Sequence, residues 1–373
     1  MLIGIDASRA TKEIKTGTEH YSEEIIIALS KIDRSNNYIL YSPVAPKGKL
    51  ANLPKNFHWK IMPFTKLWSQ IRLSWEFVFG KEKPDVIFEP AHTIPLIHPK
   101  NMVVTLHDLG FKYFPELYTP FERKYHNFCM DFSAKHAKNI ITPSEYTKKD
   151  LIKIYKTNPE KITPIYHGYD SSLYKPLKSI EIKNLKFKIK NCSPYIFYLG
   201  RIERKKNSAG LVKAYGILRK EKAIIHKLVI AGKPGFGYDE FQKELHKLPR
   251  NIQKDVIELG YVKDNELVSW MQNADIFFFP SFFEGFGLPV IEAMACGVPV
   301  VTSKNTSITE IAGSAAILVN PHKPLQMAAA LSKIINSPIM RSSLISKGLV
   351  RASLFSWQKA AEKTLKVFEQ TIK

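Results

Sequence analysis

Thirteen short runs of β-branched and aromatic residues, separated by longer stretches with helical spacing, leave few architectures open to this chain. The first seven are Leu2–Ile5, Tyr38–Tyr41, Trp59–Met62, Val86–Phe88, Val103–Leu106, Ile140–Thr142 and Ile162–Tyr166. After a polar, lysine-rich interval the rhythm restarts with Tyr195–Leu199, Leu228–Ala231, Val256–Leu259, Ile276–Phe279, Val298–Thr302 and Ala316–Val319. In the first intervening helix Ile25, Ala28, Leu29 and Ile32 recur at i, i+3, i+4 and i+7. Strands alternating with helices specify parallel sheets covered on both faces. A chain of 373 residues is also long for a single core. The expected fold is α/β, two doubly wound domains at 1–172 and 191–355 joined by a linker at 173–190.

Ligands of such sheets bind beyond the carboxyl ends of the strands. Several chemically loaded residues fall there: Gly17 in the loop after the first run, His107 and Asp108 after Val103–Leu106, Arg201 after Tyr195–Leu199, and Gly232 after Leu228–Ala231. The stretch F-E-G-F-G-L-P-V-I-E-A-M-A-C-G-V-P-V-V, Phe283 to Val301, follows Ile276–Phe279. Its Pro289 suits a first helical turn and its Gly297 the left-handed position past a helix end. Gly285 and Gly287 let backbone approach a ligand closely. The amides around Gly287 and Leu288 then offer an anion site at a helix N-terminus. Glu284 and Glu292 bracket that site, so the ligand carries hydroxyl groups as well as phosphate.

A second cluster is Y-L-G-R-I-E-R-K-K-N, Tyr198 to Asn207. Arg201 and Lys206 are suited to a departing diphosphate, with Arg204 and Lys205 expected on the surface. In T-L-H-D-L, His107 can donate to phosphate or hydroxyl, or act as an acid or base; Asp108 either orients it or caps the following turn. The chain contains no D-x-D, no HExxH, no phosphate loop of the G-x-x-x-x-G-K-[ST] type and no G-x-S-x-G. Phosphate charge therefore falls to Arg, Lys and helix dipoles, and no metal or cofactor is expected.

The net charge of +21 and pI near 9.6 attract anions of any kind. No nucleic-acid-binding signature accompanies them, and the densest cluster, Lys186–Lys190, is short. Cys129, Cys192 and Cys296 form no CxxC pair, which fits a reducing cytoplasm. The opening MLIGIDASR has no signal-peptide character, and no window reaches the ~18 apolar residues of a membrane span.

These residues together resemble a known family, the retaining GT-B glycosyltransferases of glycosyltransferase family 4. The resemblance runs from G-I-D-A-S-R through T-L-H-D-L-G-F-K-Y-F-P-E, I-T-P-S-E-Y-T, Y-L-G-R-I-E-R-K-K-N, L-V-I-A-G-K and L-G-Y-V to the Glu284–Glu292 stretch. It implies two Rossmann-like domains with a cleft between them, the first binding acceptor and the second a nucleotide-sugar donor. It also implies that Arg201 and Lys206 bind the donor diphosphate and Glu292 the ribose. Glu284 and the amides of Phe286, Gly287 and Leu288 would hold the donor sugar and distal phosphate. Gly17 would bring amides to the diphosphate, His107 would lie beside the transferred sugar, and Val262 would meet the base through its backbone. A terminal helix at 356–373 would cross back onto the first domain. The family transfers sugar with retention and without metal, the leaving phosphate helping to deprotonate the acceptor. One departure is His167-Gly168-Tyr169-Asp170, where the family often has N-G-[VI]-D.

GDP-mannose and UDP-glucose-type donors both stay open, as does a glycan or lipid-linked acceptor. In Leu67–Phe79, Trp68, Ile71, Trp75 and Val78 share one helical face beside Lys66, Arg72, Lys81 and Lys83. That segment is either a core helix or a contact with an anionic membrane. A sugar-nucleotide epimerase or a phosphorylase would use a related architecture. A nucleic-acid partner would leave the paired glutamates and glycines without purpose and is not expected.

Overall fold

The computed structural model describes all residues except 14, 65, 66, 92, 178–190, 193, 222 and 223. The chain divides into two compact units, Met1–Gly168 with Ser356–Lys373, and Tyr169–Phe355. The division falls a few residues before the linker expected at 173. Residues 169–177 lie against the second unit, where the Lys175 carbonyl accepts from Gln272 at 2.8 Å and Pro176 packs on Gly297. Most of the expected linker, with the Lys186–Lys190 cluster and Lys66, lies outside the described residues.

Unit 1 carries β1 (Leu2–Asp6), β2 (Asn37–Ser42), β3 (Phe57–Ile61), β4 (Val86–Glu89), β5 (Met102–Thr105), β6 (Asn139–Thr142) and β7 (Ile162–Pro164). They form one sheet in the order β3-β2-β1-β4-β5-β6-β7, parallel throughout. Its larger helices are α1 (Gly17–Ile32), α2 (Ser74–Phe79), α3 (Gly110–Tyr113), α4 (Pro120–His136) and α5 (Glu145–Tyr155). Side chains alternate between the faces of the sheet. Tyr38, Leu40, Val86, Phe88 and Val103 join α1 in one core; Ile39, Tyr41, Ile87, Met102 and Val104 face the other.

Unit 2 carries β8 (Tyr195–Leu199), β9 (Lys227–Ala231), β10 (Val256–Gly260), β11 (Ile276–Phe279), β12 (Val300–Ser303) and β13 (Ala316–Val319). The order is β10-β9-β8-β11-β12-β13, again parallel. Its helices are α6 (Ser208–Glu221), α7 (Tyr238–His246), α8 (Arg250–Gln253), α9 (Asp264–Gln272), α10 (Leu288–Ala295), α11 (Thr306–Ala312), α12 (Pro324–Ile335) and α13 (Pro338–Ala352). β12 starts two residues later than its apolar run. The Val298 amide still bonds the Ala293 carbonyl at 3.0 Å, completing the end of α10 around Gly297 at φ +73°.

The last helix, α14 (Trp357–Ile372), returns to unit 1. It buries Trp357, Ala360, Ala361, Thr364, Val367, Phe368 and Thr371, one stripe at helical spacing, and packs with α1 in the first core. Each large apolar side chain buried there contributes about 1.5–3 kcal/mol. α1 is consequently buried between sheet and helix over most of its circumference, from Tyr21 to Ser30. A Cβ on Gly168 would lie 2.0 Å from the Trp357 amide nitrogen, so the chain leaves and re-enters unit 1 at touching points. Glycine is required there.

Leu67–Phe79 is not one regular helix. A widened π turn, Ser69–Leu73, precedes α2 and rotates the faces relative to a uniform 100° wheel. Trp68 turns inward and donates its indole N–H to the Met62 carbonyl at 2.8 Å, and Leu73 is fully buried. Ile71, Trp75 and Val78, expected beside Trp68, stay exposed.

Candidate active site

In unit 2 the strand order reverses between β8 and β11, which are neighbours although two strands, β9 and β10, separate them in sequence. Connections leaving adjacent strands at such a point turn to opposite faces and leave a crevice at the carboxyl edge. The loop after β8 supplies Arg201 to Asn207 and the loop after β11 supplies Phe283 to Leu288. Both sequence clusters therefore converge on the place where a doubly wound sheet binds its ligand.

Lys206 and Glu284 meet there. The Lys206 ammonium lies 2.6 and 2.7 Å from the two carboxylate oxygens, with the lysine and glutamate side chains 19% and 10% exposed. The same ammonium sits 5.6 Å from the centre of the Phe279 ring. Few rotamers satisfy all these contacts, so cation and carboxylate are presented together and pre-oriented.

The scaffold around the pair was not legible as function. Asn207 adopts φ +57°, ends the short turn carrying Lys206, and donates to the Pro280 and Pro321 carbonyls at 3.0 and 2.8 Å. Asparagine tolerates the left-handed region, and this is the one signal the sequence held. Across the loop, Ser307 Oγ lies 2.8 Å from the Glu284 carbonyl and 3.2 Å from that of Phe286, and Asn305 donates to Phe282 at 2.7 Å. The polar run after β12 thus fixes the loop after β11.

Gly287 has φ +99°, and a Cβ there would lie 2.4 Å from Ile308 Cδ1. It caps α10, whose first turn holds Pro289 as its sequence required. Glu292 is buried in the second turn. Burial, and then the Glu292 charge, push the neighbouring Cys296 thiol far up, which keeps it protonated and unreactive.

Arg201 is two-thirds exposed and its Nε lies 3.7 Å from Glu203, so it is not brought into the Lys206–Glu284 pair. Gly232 is forced by backbone: a Cβ there would come 1.9 Å from the Gly200 carbonyl oxygen at φ +153°. Val262 is half-buried just past β10. Arg204, expected on the surface, is instead clamped. Its Nε donates to both Glu240 oxygens at 2.9 and 3.2 Å and its guanidinium stacks over Phe236 at 5.1 Å.

In unit 1, Gly17 is the first residue of α1 and not a loop residue, with nothing within 4 Å of where a Cβ would stand. Behind it, Glu19 closes a capping box with Thr16 and pairs with Arg9 at 3.2 Å. His107 is buried under Tyr21, ring centres 4.7 Å apart, with Nε2 2.8 Å from the Pro90 carbonyl. A carbonyl only accepts, so Nε2 carries the proton. Burial holds the imidazole below its usual range and hence neutral, which favours hydrogen bonding over acid chemistry for this residue. Asp108 accepts from the Gly110 amide at 2.8 Å, the turn-capping alternative. Among the described residues one group, His20, Glu23 and Glu24, brings three ligand-type atoms within 4.8 Å; it lies on α1, where Lys15 and Lys49 pair with the two acids. No described helix is long and apolar enough to cross a membrane.

Residues 179–350 match the family described as Glycosyl transferases group 1, and residues 17–173 match Glycosyltransferase Family 4. An O-antigen chain mannosyltransferase B from Escherichia coli is 30% identical over 72% of this chain and 70% of its own length. The chain belongs to glycosyltransferase family 4. It is a glycosyltransferase, and its paired Rossmann-like sheets are those of the GT-B fold. The O-antigen chain mannosyltransferase RfbU of Salmonella typhimurium is 28% identical over 70% of this chain and 67% of its own. Among solved structures, sucrose-phosphate synthase from Thermosynechococcus elongatus superposes with TM-score 0.76 at 18% identity, covering 99% of this chain and 98% of that one. Anabaena HepE in complex with UDP and glucose superposes with TM-score 0.74 at 19% identity, covering 99% of both.

Proposed function

We propose that this glycosyltransferase moves a hexose from a nucleoside-diphosphate sugar, GDP-mannose or a UDP-glucose-type donor, to a glycan or lipid-linked acceptor in surface polysaccharide or glycolipid synthesis, with retention and without a metal. The observation that carries the reading is the Lys206–Glu284 pair at the switch point of the second sheet, beside the N-terminus of α10. Lys206, the amides at Gly287 and Leu288, and Arg201 swung in from solvent neutralise the diphosphate as it leaves. Glu284 accepts from hydroxyls of the sugar and Glu292 from the ribose diol. The anomeric C–O bond to the distal phosphate breaks, and the acceptor oxygen bonds the anomeric carbon on the same face. The acceptor proton passes to the departing phosphate oxygen. Neutral His107, its Nε2–H held by the Pro90 carbonyl, accepts at Nδ1 from a hydroxyl of the transferred sugar.

The mannosyltransferase names among the relatives favour GDP-mannose as the first donor to try. A panel of nucleotide sugars should stabilise the protein thermally for one base and sugar above the rest. Release of nucleoside diphosphate should require acceptor and survive EDTA. Release without acceptor, with the sugar changed at C2, would instead mark an epimerase. Transfer lost in EDTA and restored by manganese would overturn the metal-free step, and an inverted anomeric centre by NMR would overturn retention.

A further inference from the structure

We propose that unit 1 docks on an anionic lipid bilayer through one face built from the turn-and-helix 69–79, the loop 94–98 and the outer side of α4. On the first piece Ile71, Trp75 and Phe79 are exposed, the last two by 60% and 65%, and their rings lie 4.4 Å apart. Their exposure follows from the π turn, which commits Trp68 and Leu73 to the core and leaves this flank without a partner in its own unit.

Three hydrogen bonds fasten the loop beside them. Gln70 donates to the Ile94 carbonyl at 3.1 Å and accepts from the Leu96 amide at 3.1 Å, while the Ile97 amide lies 3.4 Å from Ser74 Oγ. Leu96 and Ile97 are held exposed next to the helix as a result. His98 continues the surface to α4, its ring 5.9 Å from those of Phe132 and His136.

On α4, Phe121, Tyr125, Phe128 and Phe132 recur at i, i+4, i+7 and i+11 and form one stripe. The core takes Cys129, Met130, Ser133 and Ala134; of the stripe, Phe132 is half-buried against that core, while Phe121, Tyr125 and Phe128 stay exposed. Phe121 is 78% exposed, and the successive rings stack at 6.4 Å (Phe121–Tyr125) and 5.8 Å (Phe128–Phe132). An apolar surface of this extent is costly in water unless something covers it.

Charge selects the occupant. Around the face the acids are already used: Glu76 by Arg72 and Lys60, Glu82 by Lys60, Asp131 by Lys135, and Glu122 by the cap of its own helix. Lys81, Lys100, Arg123 and Lys124 are exposed with no carboxylate partner among the described residues. A second copy would bring those like charges together; the phosphates of an anionic leaflet neutralise them. Aromatic rings with interspersed cations match the headgroup boundary, where apolar area and basic charge both favour binding.

The proposal does not rest on the transferase reading, and its test needs no sugar donor. The full-length protein should sediment with vesicles of phosphatidylglycerol and phosphatidylcholine at low salt, and weakly with phosphatidylcholine alone. Trp75→Glu with Phe79→Glu, and separately Phe121→Glu with Phe128→Glu, should each reduce the bound fraction about tenfold while circular dichroism and melting stay as in the parent. Trp75→Phe guards against misfolding artefacts. Brominated lipid should quench the tryptophan emission of the parent, and this variant should bind equally yet lose most of that quenching. No sedimentation at low salt overturns the proposal, as does full binding by both folded glutamate variants. A parent dimer in sedimentation velocity, dissociated by the same substitutions, overturns it in favour of self-association.

Discussion

Lys206 and Glu284 are each buried enough to be costly alone. Lys206→Ala leaves a carboxylate without its cation, and the expected loss is about 2–4 kcal/mol of stability, measured by urea denaturation. Adding Glu284→Ala to that variant should restore part of the loss while transfer stays absent. Glu284→Ala alone should lower kcat by about a hundredfold or more, and Glu292→Ala should act chiefly on donor KM. Wild-type turnover in Glu284→Ala removes the site assignment. His167 gives a second prediction. It is buried against Trp357 and Tyr21, and burial first, then the nearby His107 and His20, hold it well below its usual range. A histidine lowered in the fold contributes stability above its ordinary pKa of about 6.5 that is lost as pH falls toward the folded value. His167→Gln should therefore flatten the decline in denaturation midpoint between pH 7.5 and 5.5. At this scale the sequence pointed to Lys206 and Glu284, which the fold brings together, because glycines and charged residues at fixed spacing have few other uses. Asn207 and Ser307 were hidden, since their work is to bond carbonyls brought close only by folding.

Among elements, two glycines predicted to approach the donor make opposite experiments. Gly287→Ala requires φ +99° of an L-residue and drives its Cβ toward Ile308, so about 1–3 kcal/mol of stability should be lost together with donor affinity. Gly17→Ala meets open space at the head of α1. Its melting temperature should hold, and a raised donor KM by itself would assign the missing Cβ to ligand approach. Unchanged kinetics would remove Gly17 from the site. Strand positions were readable because both faces of these sheets are covered and apolar runs mark them directly. The start of β12 and the faces of 67–79 were not. A cap bond at Val298 and a π turn each shift phase by a fraction of a turn, which composition does not register.

Over the whole molecule, restarting periodicity announced two sheets, whereas the helix that covers one of them, α14, was expected from the family resemblance alone. Phe368 is fully buried 5.2 Å from Phe88 of β4. Phe368→Ala should cost unit 1 about 3–5 kcal/mol. Scanning calorimetry should then show one transition lowered and the transition of unit 2 in place; a uniform shift would mean that the units melt as one.

That unit 1 is closed by residues 356–373 has a consequence for biogenesis. When Gly168 leaves the ribosome, the apolar flank of α1 has no cover, and all of residues 169–355 must be synthesised before its partner emerges. At ~5–20 residues per second that is an interval of roughly 10–40 s. Throughout it the nascent first lobe presents sticky surface to chaperones, while the second lobe completes its own sheet first.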